Sequence, residues 1–157
     1  MAEMTIDIEE VKEFIRNSSE KTKFYLGSDS QRIRRKRKGK KIARYMTCIV
    51  AHIEGKHGGR VWSEVSYHEI TDGNLSKPFN RLFKEAEKVT ALYEELFDEL
   101  MDRDVELHLD VNPDKLAGSN IVHNAAVGYV QGMTGILPKV KPEAWAASCV
   151  SDHFVKA

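Results

Sequence analysis

The chain has 157 residues, 31% charged and 41% hydrophobic, enough for one globular domain with a buried core. Its formal net charge is zero, and no apolar run approaches the ~20 residues of a membrane-spanning helix, which excludes a helical membrane protein. The N-terminus, MAEMTIDIEE, is acidic and lacks the basic region and apolar core of a secretory signal, so a cytoplasmic protein is expected.

Residues 7–18 carry Val11, Phe14 and Ile15 at helical spacing, with Asp7 placed as an N-cap. KFYLGSDSQ (23–31) reads as a first strand. It runs into RIRRKRKGKK (32–41), which holds eight of the 24 basic residues and no acid, leaving 16 bases against 24 acids elsewhere, a balance of −8. A basic finger on an acidic body suits a polyanionic partner. ARYMTCIVAHI (43–53) is apolar on both faces, as a central strand should be. GKHGG then turns the chain into a third strand, VWSEVSYHEI (61–70). The first three strands form an antiparallel meander with the basic run at its first hairpin.

A long helix is expected from about Lys77 to Met101, with Phe79, Leu82, Phe83, Ala86, Val89, Tyr93, Phe97 and Leu100 as its apolar stripe. DVELHLDVN (104–112) alternates sharply: Val105, Leu107, Leu109 and Val111 face one way, Glu106, His108, Asp110 and Asn112 the other. A helix over roughly 119–132 follows, then a short strand in ILPKVK and a last helix opened by Pro142. The order after the N-terminal helix is β-β-β-α-β-α-β-α, an α/β fold with a mixed five-stranded sheet and helices packed on it. The expected organisation is one domain over 1–157, with an N-terminal helix in 1–22, the core in 23–157 and the basic hairpin loop at 32–41.

Two carboxylates stand where strands disfavour them. Asp29 lies in the first strand, beside Gly27 on the same face, where the missing side chain leaves room for an ion or a phosphate. A strand-end Asp can also simply cap the turn into the hairpin, but the position favours a functional carboxylate. Asp110 occupies the matching place near the end of the fourth expected strand, on a face that is either wet or lines a cleft. Two carboxylates at strand ends favour the cleft and a hard cation such as Mg²⁺ or Mn²⁺. On the long helix, Glu85 falls roughly 90° from the centre of the stripe at ~100° per residue. Glu94 is equally close on the opposite edge and Glu87 slightly farther, so helix geometry leaves the three open. Asp152 lies on the flank of the last helix. No histidine pair has zinc-site spacing, and P-loop, Rossmann and nucleophile-elbow motifs are missing. Cys48 and Cys149 have no CxxC partner and read as two buried thiols in a reducing compartment.

LGSDSQ (26–31), HLDVN (108–112), GYVQGM (128–133) and KPEAWAASCVSDH (141–153) together resemble, in order, the blocks of the YkuK-type ribonuclease H-like nuclease family. The resemblance runs from about residue 23 to the C-terminus and implies a ribonuclease H-like fold, the element order already read from the pattern. The run at 32–41 looks longer than the family's hairpin. The resemblance also implies a cluster of four acids, one each from the first strand, the long helix, the fourth strand and the last helix. Asp29, Glu85, Asp110 and Asp152 match those places, with Glu87 as an alternative register for the second.

The implied activity is metal-dependent hydrolysis of phosphodiester bonds in nucleic acid (RNA, DNA or hybrid), with two Mg²⁺ or Mn²⁺ ions. Asp29 would bridge the ions, Asp110 and Glu85 would hold one, and Asp152 would complete the other. Arg32, Arg34, Arg35, Lys36, Arg37, Lys38, Lys40 and Lys41 would grip the phosphate backbone without regard to sequence. The alternative is a non-catalytic nucleic-acid-binding or adaptor protein on the same fold.

Overall fold

The computed structural model describes residues 2–33, 40–53, 59–70, 79–110, 120–140, 143, 144 and 146. Helix α1 spans Ile8–Asn17, and Asp7 caps it by accepting a hydrogen bond from the Glu10 amide at 3.2 Å. Its inner face buries Val11 and Ile15. Arg103 braces the other end, donating to the carbonyls of Ile15, Ser18 and Ser19.

Strands β1 (Thr22–Arg32), β2 (Ile42–Ile53) and β3 (Gly59–Glu69) form the expected antiparallel meander. Strand β4 (Asp104–Leu109) then pairs with β1 in parallel, giving the order β3-β2-β1-β4. Strand β1 is therefore central, with an antiparallel neighbour on one side and a parallel one on the other.

Among the described residues the sheet has four strands, not the expected five. Lys139 does lie alongside β4, exchanging hydrogen bonds of 2.8 and 2.9 Å with Leu107 and Leu109. The contact is confined to a bridge with His108. The chain leaves helix α4 at Gly135, whose φ of 76° favours glycine, and reaches the sheet only at Lys139. Strand β4 ends at Leu109, one residue past the bridge, so little ladder remains to extend.

The long helix is also divided. Helix α2 runs Phe79–Glu95 and a single turn, α3, runs Phe97–Leu100. The joint is Leu96, fully buried, whose amide is shared between the carbonyls of Leu92 and Tyr93. Helix α4 spans Asn120–Thr134 and packs on α2 through Tyr129, whose ring lies 5.2 Å from that of Phe83. Phe24, Leu26 and Leu107 from the sheet meet Val11 and Ile15 of α1, Ala86 and Val89 of α2, and Val122, Ala126 and Val130 of α4 in one core. The helix opened by Pro142 lies outside the described residues. Among the described residues no helix is long and apolar enough to cross a membrane.

Candidate metal centre

Asp29 stands near the end of β1, and Asp110 follows the last residue of β4. Ser28 is paired with Leu109, so the next residue of each strand places the two aspartates side by side. Parallel pairing thereby brings together two carboxylates from opposite sides of β2, β3 and α2 in the sequence. Glu85 reaches the same point from α2, where it is only 2% exposed. One carboxylate oxygen from each of Asp29, Glu85 and Asp110 lies within 4.8 Å of the other two.

Ser30 holds the cluster together. Its amide donates to Asp29 Oδ1 at 2.8 Å, and its hydroxyl donates to Glu85 Oε2. Arg81, one helical turn before Glu85, donates to the Ser30 hydroxyl at 2.8 Å and to the Ser30 carbonyl at 3.2 Å. Neither Ser30 nor Arg81 is among the residues expected from the sequence. Signals for both are nonetheless there: Ser30 adjoins Asp29, and Arg81 stands four residues before Glu85, the spacing of neighbours on one helix face.

Burial, followed by the charge of Asp110, pushes the Asp29 carboxyl above its usual range, and the Ser30 amide opposes the shift. Burial pushes Glu85 well above its usual range. The Ser30 hydrogen bond opposes this, and the charges of Asp29 and Asp110 add to it. Arg81 favours the ionised form of both groups without reversing either shift. Three crowded carboxylates beside one guanidinium call for protons or for cations. Glu85 Oε1 tests the second answer, because it is buried and has no hydrogen-bond partner among the described residues. A buried carboxylate oxygen left open is costly unless something positive meets it. Oxygen donors alone, with no thiolate or imidazole among them, fit Mg²⁺ or Mn²⁺ rather than zinc.

A family model described as ribonuclease H-like matches residues 7–156. The chain belongs to the YkuK-type ribonuclease H-like family. No curated protein and no solved structure matches it. Within this ribonuclease H-like chain, the structure brings Asp29, Glu85 and Asp110 together. Glu87 is exposed and lines a cavity whose wall also includes Arg81, Glu94 is exposed, and neither joins the acid cluster. Asp152 lies outside the described residues, as do Arg34, Arg35, Lys36, Arg37 and Lys38 of the basic run. Arg32 is exposed at the end of β1, Lys41 is half-buried, and Lys40 pairs with Glu69 at 3.6 Å.

His108 departs from the reading of its face as open. It is fully buried, and its Nδ1 accepts the Ala146 amide at 2.9 Å. That leaves the proton on Nε2, which faces Glu106 Oε1 at 3.2 Å. Burial keeps the ring below its usual pKa, with Glu106 pulling the other way. The Ala146 carbonyl accepts a hydrogen bond from the buried Cys48 thiol at 3.6 Å, so both backbone groups of Ala146 are tied beneath the sheet.

Proposed function

We propose that this protein is a cytoplasmic nuclease that hydrolyses phosphodiester bonds in nucleic acid with two Mg²⁺ or Mn²⁺ ions. The observation that carries the reading is the convergence of Asp29, Glu85 and Asp110 around an unsatisfied buried oxygen at the end of β1. Membership of the ribonuclease H-like family supports it. Asp29, Glu85 and Asp110 would hold the ions, with Asp152 as a fourth ligand. Bound there, the ions supply activation of water and charge stabilisation on the leaving oxygen. Ser30 fixes the carboxylate of Glu85 and orients that of Asp29. Arg81 adds a fixed positive charge where a substrate phosphate approaches the acids. Glu85 would have to be ionised to hold an ion there, because ligands must be deprotonated. Both ring nitrogens of His108 are engaged, which assigns it to holding Ala146 rather than to proton transfer.

Titration with Mn²⁺ tests the proposal directly. Calorimetry is expected to give saturable binding, and an ion at a hundred times its Kd raises the unfolding free energy by about 2.7 kcal/mol. Labelled RNA, DNA and hybrid oligonucleotides are expected to be cut by the Mn²⁺-loaded protein and left intact in EDTA. Ion binding with every substrate left intact would point instead to a non-catalytic nucleic-acid-binding protein.

The basic run would grip the backbone. Ile33 and Ile42 pair at the stem of this hairpin, just beyond Asp29 along the chain, so the run leaves the sheet at the end where the acids stand. Replacing Arg34, Arg35, Lys36 and Arg37 with Ser is expected to weaken binding about equally for all sequences. The slope of log affinity against log salt should fall by about 0.9 for each duplex phosphate that is no longer neutralised. Thermal stability should barely move, since exposed charges contribute little. Affinities measured across several salt concentrations decide it: an unchanged slope removes the run from the interface.

A further inference from the structure

A cavity of about 340 Å³ opens on the helix side of the sheet, next to the carboxylates. Tyr45 lies in its wall and is the direct cross-strand neighbour of Ser30, the residue that binds Glu85. Arg81 lines the cavity and also donates to Ser30, so one guanidinium belongs to both places. His68, Phe83, Lys84 and Glu87 contribute further walls.

Charges of both signs share the cavity wall, Arg81 and Lys84 against Glu69 and Glu87. Lys88 stands 6.0 Å from the centre of the Tyr45 ring. Of its acids, Glu69 is already paired with Lys40. After burial, the charges of Lys88 and Lys84 are what push His68 below its usual pKa, with Glu3 opposing. The other component of the wall is aromatic. The Tyr45 and His68 rings meet edge-on at 5.3 Å, and Phe83 is held by rings on both sides, stacked on Phe79 at 5.8 Å and tilted against Tyr129. A planar fork, a lysine and fixed rings in one cavity of this size match a phosphate joined to an aromatic base.

We infer that this cavity seats one unpaired nucleotide of the substrate, next to the bond held at the carboxylates. Its phosphate lies between Arg81 and Lys84, and its base lies against His68. This inference rests on the nuclease reading for the identity of the ligand and adds a substrate class to it. A base that stacks on side-chain rings has left its own duplex, so the substrate is single-stranded at this point.

The test uses the full chain in EDTA, so that it does not depend on cleavage. Adenosine 5′-monophosphate and inorganic phosphate are titrated separately by calorimetry. The nucleotide is expected to bind one to one and about tenfold more tightly than phosphate, the gain of one stacked base. Lys84→Glu should weaken nucleotide binding by about tenfold or more through loss and reversal of charge. His68→Ala should bring the nucleotide close to the level of phosphate while leaving phosphate itself unaffected. Equal binding of the two probes, or a Lys84→Glu protein that binds like the parent, overturns the inference. The two readings fail separately. Nucleotide binding without Mn²⁺-dependent cleavage would keep the cavity and remove the nuclease, whereas cleavage without nucleotide binding would do the reverse.

Discussion

Asp29→Asn is expected to reduce Mn²⁺-dependent cleavage by about 100- to 1,000-fold, the loss seen when one preorganised charged or dipolar group is taken from a reacting site. Asp110→Asn should do the same. Both carboxylates lie within 4.8 Å of each other and of Glu85, close enough to share an ion, and asparagine keeps the shape while giving up the charge that a hard cation requires. The fold should survive. Asp29 carries its charge against burial and against Asp110, so its removal is expected to stabilise the ion-free protein. The signature is therefore opposite in sign in the two assays: cleavage and Mn²⁺ affinity fall, while the urea midpoint in EDTA rises. Undiminished Mn²⁺ binding by both variants would show that the ions sit elsewhere.

Glu85→Gln and Glu87→Gln should separate cleanly, although the two residues are only two apart. Glutamine at 85 can still accept the Ser30 hydroxyl, but it cannot offer a charged oxygen where Glu85 Oε1 now lies buried. A loss of about 100-fold or more in cleavage is expected. Glu87 is exposed and offers no oxygen to the carboxylate cluster, so its loss should leave Mn²⁺ affinity within a small factor of normal. The Glu85 variant also has a pH signature. The folded state holds the Glu85 proton more tightly than the unfolded state does, so the stability associated with this group is full below the ordinary carboxyl value of 4.5. It falls as pH rises from there towards the raised folded value. Glutamine has no proton to lose. In EDTA, Glu85→Gln should therefore gain stability relative to the parent as pH rises above 4.5. With saturating Mn²⁺ the order should invert, because only the parent has the ligand. Urea titrations of both proteins at a series of pH values, with and without Mn²⁺, would reveal it. Parallel curves in EDTA would mean that Glu85 is not held as the structure has it.

Much of the fold is legible in the sequence because its strands alternate plainly and its helices carry continuous stripes. Asp29 and Asp110 stand out because a carboxylate in a strand needs a reason, and the parallel pairing of β1 with β4 supplies a common place for them. Glu85 does not stand out from Glu87 and Glu94. An apolar stripe marks the buried face of a helix but not which of its edges faces the strand ends. The helix break is invisible for a related reason: Leu96 is itself apolar, and the stripe runs on through it to Leu100. The fifth strand fails because a strand pattern reports one chain's fitness to pair and not how much partner is available. His108 falls on an expected open polar face because alternation cannot foresee that Ala146 would cover it. Ser30 carries no charge and is ordinary in a strand except as the neighbour of Asp29, yet it is the residue that ties two of the acids together.

The central place of β1 also sets an order of assembly. Its antiparallel partner β2 follows directly and can zip up from the hairpin, a local event on the microsecond scale. Its parallel partner β4 arrives only after β3, α2 and α3 have been laid down, and closing that long loop is entropically slow. Asp29 and Glu85 thus exist in the growing chain before Asp110 has a strand to stand on. The carboxylate cluster depends on this long-range pairing, so a molecule in which β4 has not docked lacks the Asp110 carboxylate beside Asp29 and Glu85.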